Sequence, residues 1–108
     1  MTYKILGQVA PSNTDNADLY TVPSAKSAVI STLLASNTSS SPASCRIYVR
    51  KNAETASKNN AIIYDGVIES NDFKAITIGI TMADGDVLTV QSGTQNSMTF
   101  QAFGSEVG

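Results

Sequence analysis

Short runs of Val, Ile, Thr, Tyr and Phe alternate along the whole chain with clusters of Asn, Asp, Gly, Ser and Pro. Branched and aromatic residues favour pleated strands, and the polar clusters favour turns. The pattern predicts eight strands and requires no helix. The predicted strands are Lys4 to Val9, Leu19 to Val22, Ala28 to Ser36, Cys45 to Arg50, Ile62 to Glu69, Phe73 to Thr81, Asp86 to Ser92 and Met98 to Phe103. The chain is therefore predicted to be all-β, a single antiparallel β-sandwich domain over residues 1–108 with either a jelly-roll or an immunoglobulin-like topology.

Alternation within two of these runs predicts which side chains face the core. In the fourth run Cys45, Ile47 and Val49 point inward, whereas Arg46, Tyr48 and Arg50 point outward. In the sixth run the inner row is Ile76, Ile78 and Ile80, followed by Met82. We therefore expect Ile47, Ile78, Leu88 and Phe100 to be core residues whose truncation destabilises the fold, and Cys45 to pack as a small buried hydrophobe.

The turn residues predict how the strands connect. Asp65-Gly66 interrupts the fifth run and is interpreted as a β-bulge, since a hairpin there leaves two very short strands. If successive strands are antiparallel, the loops divide between the two ends of the sandwich. Those at residues 11–18, 37–44, 70–72 and 93–96 share one end, and those at 23–26, 51–60 and 83–85 share the other.

Composition narrows the possible chemistry. The chain has no His and no Trp and a single Cys, which removes imidazole acid/base catalysis, His-ligated metals and Cys-cluster zinc sites. We expect no enzyme, no catalytic residue, no cofactor and no metal. Seven basic against nine acidic side chains give a net charge of −2, the wrong sign for binding a nucleic-acid backbone. No stretch has the length and hydrophobicity of a membrane span or a signal peptide, so synthesis in the cytoplasm is expected.

The outward stripe of the fourth strand is the best interface candidate within the sequence. Arg46, Tyr48 and Arg50 gather basic and aromatic side chains on one face, and Arg and Tyr are enriched at protein interfaces. A solvated strand face has the same sequence pattern, so contact and solvation both remain open.

Four segments carry a resemblance to a known family. These are Tyr3-Lys4-Ile5-Leu6-Gly7-Gln8, Asp18-Leu19-Tyr20-Thr21-Val22-Pro23, Ala28-Val29-Ile30-Ser31-Thr32-Leu33 and Phe100-Gln101-Ala102-Phe103-Gly104-Ser105-Glu106. In order and spacing they resemble small virion structural proteins of tailed bacteriophages, especially cyanophages and other aquatic phages. The resemblance implies a capsid or tail component located in the virion, and it brings no catalytic residue.

The resemblance favours a capsid decoration, or cement, protein that binds the major capsid protein or other virion proteins and stabilises the outer shell as a homo-oligomer, with a trimer favoured. The contact candidates are the N-terminal segment Thr2 to Leu6 with Tyr3 and Lys4, the loop Asn37 to Ser44 with Asn37 and Ser39, and the side chains of Arg46, Tyr48 and Arg50. A neck, baseplate or tail-fibre protein is the first alternative. A carbohydrate-binding module is the second, although Tyr3, Tyr20, Tyr48 and Tyr64 are few aromatic platforms for sugars.

Overall fold

The computed structural model describes residues 2–108, which form two antiparallel sheets packed face to face. Within these residues the chain has nine strands and one short 3-10 helix. The strands are β1 (Thr2–Val9), β2 (Ala17–Thr21), β3 (Ser27–Asn37), β4 (Ala43–Arg50), β5 (Ala61–Ile68), β6 (Phe73–Ile76), β7 (Ile80–Met82), β8 (Val87–Ser92) and β9 (Met98–Val107), and the 3-10 helix is Lys58–Asn60. The prediction of an all-β antiparallel sandwich is confirmed.

The strand order identifies the topology. Sheet A has the order β1-β9-β3-β6, with β7 also pairing with β3, and sheet B has the order β2-β8-β4-β5. If β6 and β7 are counted as two halves of one strand, the chain passes from sheet to sheet at every connection except the one between β4 and β5, and the two sheet orders are those of the eight-stranded jelly roll with its two Greek keys. Of the two topologies that the sequence left open, the structure has the jelly roll.

The core lies between the sheets and follows the predicted alternation. Ile47, Leu88 and Phe100 are fully buried, and Cys45 lies beside Ile47 in the same cluster. Ile47 and Leu88 belong to sheet B and Phe100 belongs to sheet A, so their burial holds the two sheets together. Because fully burying a large aliphatic or aromatic side chain contributes about 1.5 to 3 kcal/mol, this layer is the main source of stability.

The expectation for Ile78 is wrong. The predicted strand from Phe73 to Thr81 is interrupted between Ile76 and Ile80, and Ile78 is 64% exposed. Gly79 has a φ of +64°, a left-handed conformation that no regular strand adopts. The alternation therefore restarts at Ile80, and the side chain between the two short strands points away from the core.

The bulge at Asp65 is confirmed. β5 runs unbroken past this residue, but its register against β4 shifts where Cys45 pairs with Gly66 and Ile47 pairs with Ile63. Asp65 has a φ of +58°, as the extra residue of a bulge often does. The bulge turns the Asp65 carboxylate toward the outer face of sheet B, where it meets Arg46.

The predicted grouping of loops agrees with the hydrogen bonds between them. At one end the Asn37 amide donates to the Asp72 carbonyl, the Thr38 amide to the Ser97 carbonyl and the Gly93 amide to the Ser44 carbonyl. At the other end Val22 and Asp86 are bonded through their backbones, and the Asp86 carboxylate accepts from the Asn52 amide. Within residues 2–108 no helix combines the length and the apolar character that crossing a membrane requires.

Ala53 is held in a left-handed conformation that alanine disfavours. Its φ is +67°, in the exposed loop between β4 and β5. Because a Cβ atom is strained there and glycine is not, we expect Ala53→Gly to raise the free energy of unfolding by about 0.5 to 1 kcal/mol in urea denaturation. The control is Ala83→Gly, in another exposed loop and outside the set of positive-φ residues, which is expected to lower stability slightly. If both variants have a lower free energy of unfolding, the backbone at Ala53 is not strained.

Candidate functional site

Three side chains meet where the first and last strands lie side by side. The Tyr20 hydroxyl donates to Glu106 Oε2 at 2.5 Å, and Lys4 Nζ lies 2.8 Å from Glu106 Oε1. The Lys4 ammonium, with the Tyr20 hydroxyl, holds the pKa of the Glu106 carboxyl below its usual value. Burial, reinforced by the carboxylate, raises the pKa of Tyr20 above its usual value. The Tyr20–Glu106 hydrogen bond thus joins β2 of sheet B to β9 of sheet A.

Because the pKa of Glu106 is lowered in the folded protein, the ion pair contributes stability above pH 4.5, the usual pKa of a glutamate, and that contribution is lost as the pH falls through the lowered value. We expect Glu106→Gln to lower the urea midpoint at neutral pH, with the difference from the native protein shrinking below about pH 4. The exposed Glu69→Gln is the control. A difference that stays constant with pH would exclude the ion pair as its source.

Part of the outer face of sheet B is covered by the chain itself, whereas Ile62, Tyr64 and Val67 of β5 remain exposed. Segment 51–60 packs against β4 through its 3-10 helix. Arg50 fixes this segment: its Nη1 donates to the Glu54 carbonyl at 2.5 Å, and its Nη2 lies 3.2 Å from the Asp18 carboxylate. Asn60 Nδ2 donates to Glu54 Oε1 and to the Thr55 carbonyl. Arg50, an interface candidate in the sequence, thus makes its polar contacts within its own chain.

The expectation that Tyr48 is exposed is wrong. The alternation places it on the outer side of β4 as predicted, but only 4% of its surface is accessible. Segment 51–60 lies on this side of β4, where Arg50 bonds to Glu54, and the Tyr48 ring is buried without belonging to the cluster between the sheets. Tyr48 offers no surface to a partner in this conformation.

Arg46 is partly exposed and already paired. Its Nε donates to Asp65 Oδ1 at 2.6 Å, and its guanidinium lies 4.0 Å from the centre of the Tyr64 ring. Asp65 raises the pKa of Arg46, and Arg46 in turn lowers the pKa of Asp65. Because the ion pair and the stacked ring satisfy the guanidinium, this part of the stripe is a closed surface cluster.

The Asn37 side chain is buried and holds the loop at residues 37–41 through hydrogen bonds. Its side chain is 1% exposed and donates to the Ser41 and Ile68 carbonyls at 2.8 and 2.9 Å. Its Oδ1 accepts from the backbone amide and the hydroxyl of Ser39. The expected exposure of Asn37 is therefore wrong, and Ser39 holds the loop as well. Both side chains order residues 37–41 against the end of β5.

The outer face of sheet A, in contrast, is bare and apolar. We call it face A and define it by Tyr3, Ile5, Val29, Ser31, Phe103 and Ser105, which line a groove of about 670 Å³ across β1, β9 and β3. Tyr3 is 81% exposed and Ile5 56% exposed, at the free edge of the sheet. A contiguous patch of this kind on a small protein marks a contact surface more often than it marks solvated surface.

Sequence reasoning found only the margin of face A. Tyr3 and Ile5 belong to it and Lys4 lies along its groove, all within the N-terminal candidate segment, but Val29 and Phe103 were not among the candidates. Val29 and Phe103 are far apart in the sequence and become neighbours because β9 inserts between β1 and β3. The available signal was the alternation of Tyr3 and Ile5 around Lys4, which predicts an apolar outer side on the first strand.

The remaining reactive groups are used structurally. Burial raises the pKa of the Cys45 thiol to about 11, which keeps it protonated and unreactive at neutral pH. The Asp86 carboxylate accepts backbone amides from Asn52 and Ala83. Among residues 2–108 no group of three or more His, Cys, Asp or Glu side chains is arranged to hold a metal ion.

No family model matches the chain, and no curated protein matches it. Among solved structures it is similar to a chain in the structure of the infectious bursal disease virus Gx strain, at 10% sequence identity and a TM-score of 0.44. The similarity covers 97% of this chain and 30% of that one, so this chain spans less than a third of its length. A likeness of this strength carries no functional conclusion, and the jelly-roll topology rests on the strand order alone.

Proposed function

We propose that this protein is a structural subunit of a virus particle that works by binding neighbouring protein subunits. The observation that carries the proposal is face A, an apolar outer sheet surface that the chain leaves uncovered, although its own segment 51–60 packs against part of the opposite sheet. An exposed groove lined by Tyr3, Ile5 and Val29 on a small domain is suited to docking against another protein.

The finer form of the proposal is a decoration protein on the outer capsid shell of a tailed bacteriophage, present as a homo-oligomer and made in the host cytoplasm. The sequence resemblance supports the virion assignment, and face A supports subunit contact. Repetition by symmetry gives such a protein its effect, because many modest contacts add up over a closed shell. A neck, baseplate or tail-fibre position uses the same kind of contact and differs in copy number.

A carbohydrate-binding module needs exposed aromatic side chains, and two of the four tyrosines are inaccessible in the structure. Tyr20 and Tyr48 are buried. Tyr64 is 40% exposed and carries the Arg46 guanidinium 4.0 Å from its ring centre. Tyr3 stands in an apolar groove, whereas sugar recognition needs polar partners beside the ring. These observations favour protein contact over glycan binding.

The proposal is tested on purified virus particles from the genome that encodes this chain. Cryo-electron microscopy locates the protein, and quantitative mass spectrometry counts it. Hundreds of copies on the shell are expected for a decoration protein, whereas roughly a dozen at one vertex would reassign it to the neck or tail. Absence from the particle would overturn a virion role altogether.

A substitution tests whether face A is needed for incorporation into the virus particle. We expect Ile5→Asp to reduce incorporation, because a carboxylate in the groove must be desolvated on docking. The matched control is Val67→Asp, which places the same charge at a residue that is 67% exposed on β5 of the other sheet. Equal incorporation of the two variants would contradict a role for face A.

A further inference from the structure

We propose that the first half of β1, residues Thr2–Ile5, is a detachable arm that one ion pair, between Lys4 and Glu106, holds closed on the edge of sheet A. The arm supplies one wall of face A, so its position decides whether that groove exists. The functional meaning of the arm rests on the proposed function, because docking is assigned there to face A. The opening itself is a property of the single chain.

The two parts of β1 differ in burial. All four residues of the arm are exposed, with Tyr3 at 81% and Ile5 at 56%. In the second part, Leu6 and Val9 are partly buried against the hydrophobic core. Detaching the arm therefore gives up little buried apolar area. The backbone hydrogen bonds that it breaks contribute little net free energy, because water replaces them, and the released residues gain conformational entropy.

The boundary between the two parts coincides with an irregularity of the strand. The register of β1 against β9 shifts between Ile5 and Gly7, which leaves Leu6 without a partner in the ladder. Gly7 lies so close to β2 that an added Cβ atom would overlap the Leu19 carbonyl oxygen. The chain is thus fixed immediately after the irregularity. Because an extra residue disrupts the ladder locally, this is the place where the arm separates from the rest of the strand.

One side chain anchors the arm to the rest of the sandwich. Lys4 Nζ lies 2.8 Å from Glu106 Oε1, and no other ion pair among residues 2–108 involves the arm. Glu106 is 8% exposed, and a charge-assisted bond to a buried carboxylate contributes more than a pair on the open surface. The Tyr20 hydroxyl donates to the same carboxylate from β2, so Glu106 keeps one partner when the arm leaves.

β9 stays in place when the arm detaches. It pairs with β3 along its whole length. Gly104 lies so close to β3 that an added Cβ atom would overlap the Val29 carbonyl oxygen. Opening therefore separates β1 from β9 and leaves β9 attached to β3. It uncovers the backbone groups of β9 that face β1, and it removes Tyr3 and Ile5 from face A.

The test is hydrogen exchange of the purified full chain, followed residue by residue with NMR. We expect the arm amides that bond to β9 to exchange at least about 100-fold faster than the bonded amides of residues 7–9. Alternate residues of β9 bond to β1 and to β3, because β9 lies between these two antiparallel strands. In residues 103–106, only the amides that face β1 should therefore share the fast rate.

Lys4→Met tests the anchor. We expect it to raise the exchange rates of the arm amides and of their partners in β9 about tenfold or more, because the charge-assisted bond to Glu106 is lost. The rates of residues 7–9 should not change. The control is Lys74→Met, which removes an exposed lysine from β6 at the opposite edge of the same sheet and should leave the arm unchanged. Circular dichroism and thermal melting verify that both variants fold.

Equal exchange rates along the whole of β1 would overturn the inference, because the arm would then open only with the rest of the strand. Unchanged arm exchange in Lys4→Met would exclude the ion pair as the anchor, and an equal rise at residues 7–9 would show a general loss of stability in its place. The inference and the proposed function fail separately. An arm that opens in a protein absent from virus particles removes only the virion role, whereas a fixed arm in a protein found in particles removes only the inference.

Discussion

Phe100→Ala is expected to lower the free energy of unfolding by about 3 to 5 kcal/mol, the largest effect of any single truncation considered. The Phe100 ring is fully buried, on the strand that joins β1 to β3 in sheet A. Its removal forfeits the transfer free energy of the ring and leaves a cavity that the rigid strands cannot close. Urea denaturation at neutral pH gives the free energy directly, and thermal melting should show a drop of about 12 °C or more.

Ile78→Ala is the matched comparison for this prediction. The sequence alternation places Ile78 in the core, whereas the structure leaves it 64% exposed between β6 and β7. We therefore expect its truncation to cost less than about 1 kcal/mol. A loss as large as that of Phe100→Ala would mean that residues 73–81 form one continuous strand with Ile78 inside.

The second large effect is expected at Asn37. Asn37→Ala removes four hydrogen bonds, to the Ser41 and Ile68 carbonyls and from the amide and hydroxyl of Ser39. Buried polar partners that lose their bonds cost about 1 to 3 kcal/mol each when water cannot replace them, so a total of about 2 to 4 kcal/mol is expected in urea denaturation. The loop at residues 37–41 should also exchange its amide hydrogens faster.

Asn37→Asp separates a hydrogen-bonding role from simple packing. The variant has nearly the same size but directs a carboxylate oxygen at two carbonyl groups, so it should cost at least as much as alanine at neutral pH and less in acid, where the carboxyl is protonated. Asn59→Ala, at an exposed position, is expected to change almost nothing. If Asn37→Asp kept its full stability at neutral pH, the hydrogen-bonding role of the Asn37 side chain would be excluded.

The part of the fold that follows from local pattern could be predicted from the sequence. Alternation in β4 identified Cys45 and Ile47 as core residues, and the Asp65-Gly66 pair identified a bulge. Both features depend on a few neighbouring residues and on the two-residue period of a strand. The choice of the jelly roll over the immunoglobulin-like order could not be made in this way, since it depends on which strands pair over long separations.

The exposure of a side chain was harder to predict than the face of the strand to which it points. Tyr48 does point outward from sheet B, but the sequence does not show that it is buried there, nor that segment 51–60, which lacks any periodicity, is held beside β4 through Arg50. Asn37 was placed in a polar, flexible loop, where its neighbours gave no sign of a buried clamp. Both errors come from long-range contacts, and the same kind of contact assembles Val29 and Phe103 into face A.

The packing of segment 51–60 against sheet B also affects how copies of this protein could stack. A sandwich with two adhesive sides has the geometry for open-ended stacking, in which every added subunit offers a fresh surface to the next. Here part of the far side of the sandwich is covered by its own residues, with Arg50 bonded to Glu54 and Asp18. The part of sheet B around Arg50 therefore offers no bare apolar surface, and stacking of subunits through both sheets would have to use the exposed side chains of β5 instead.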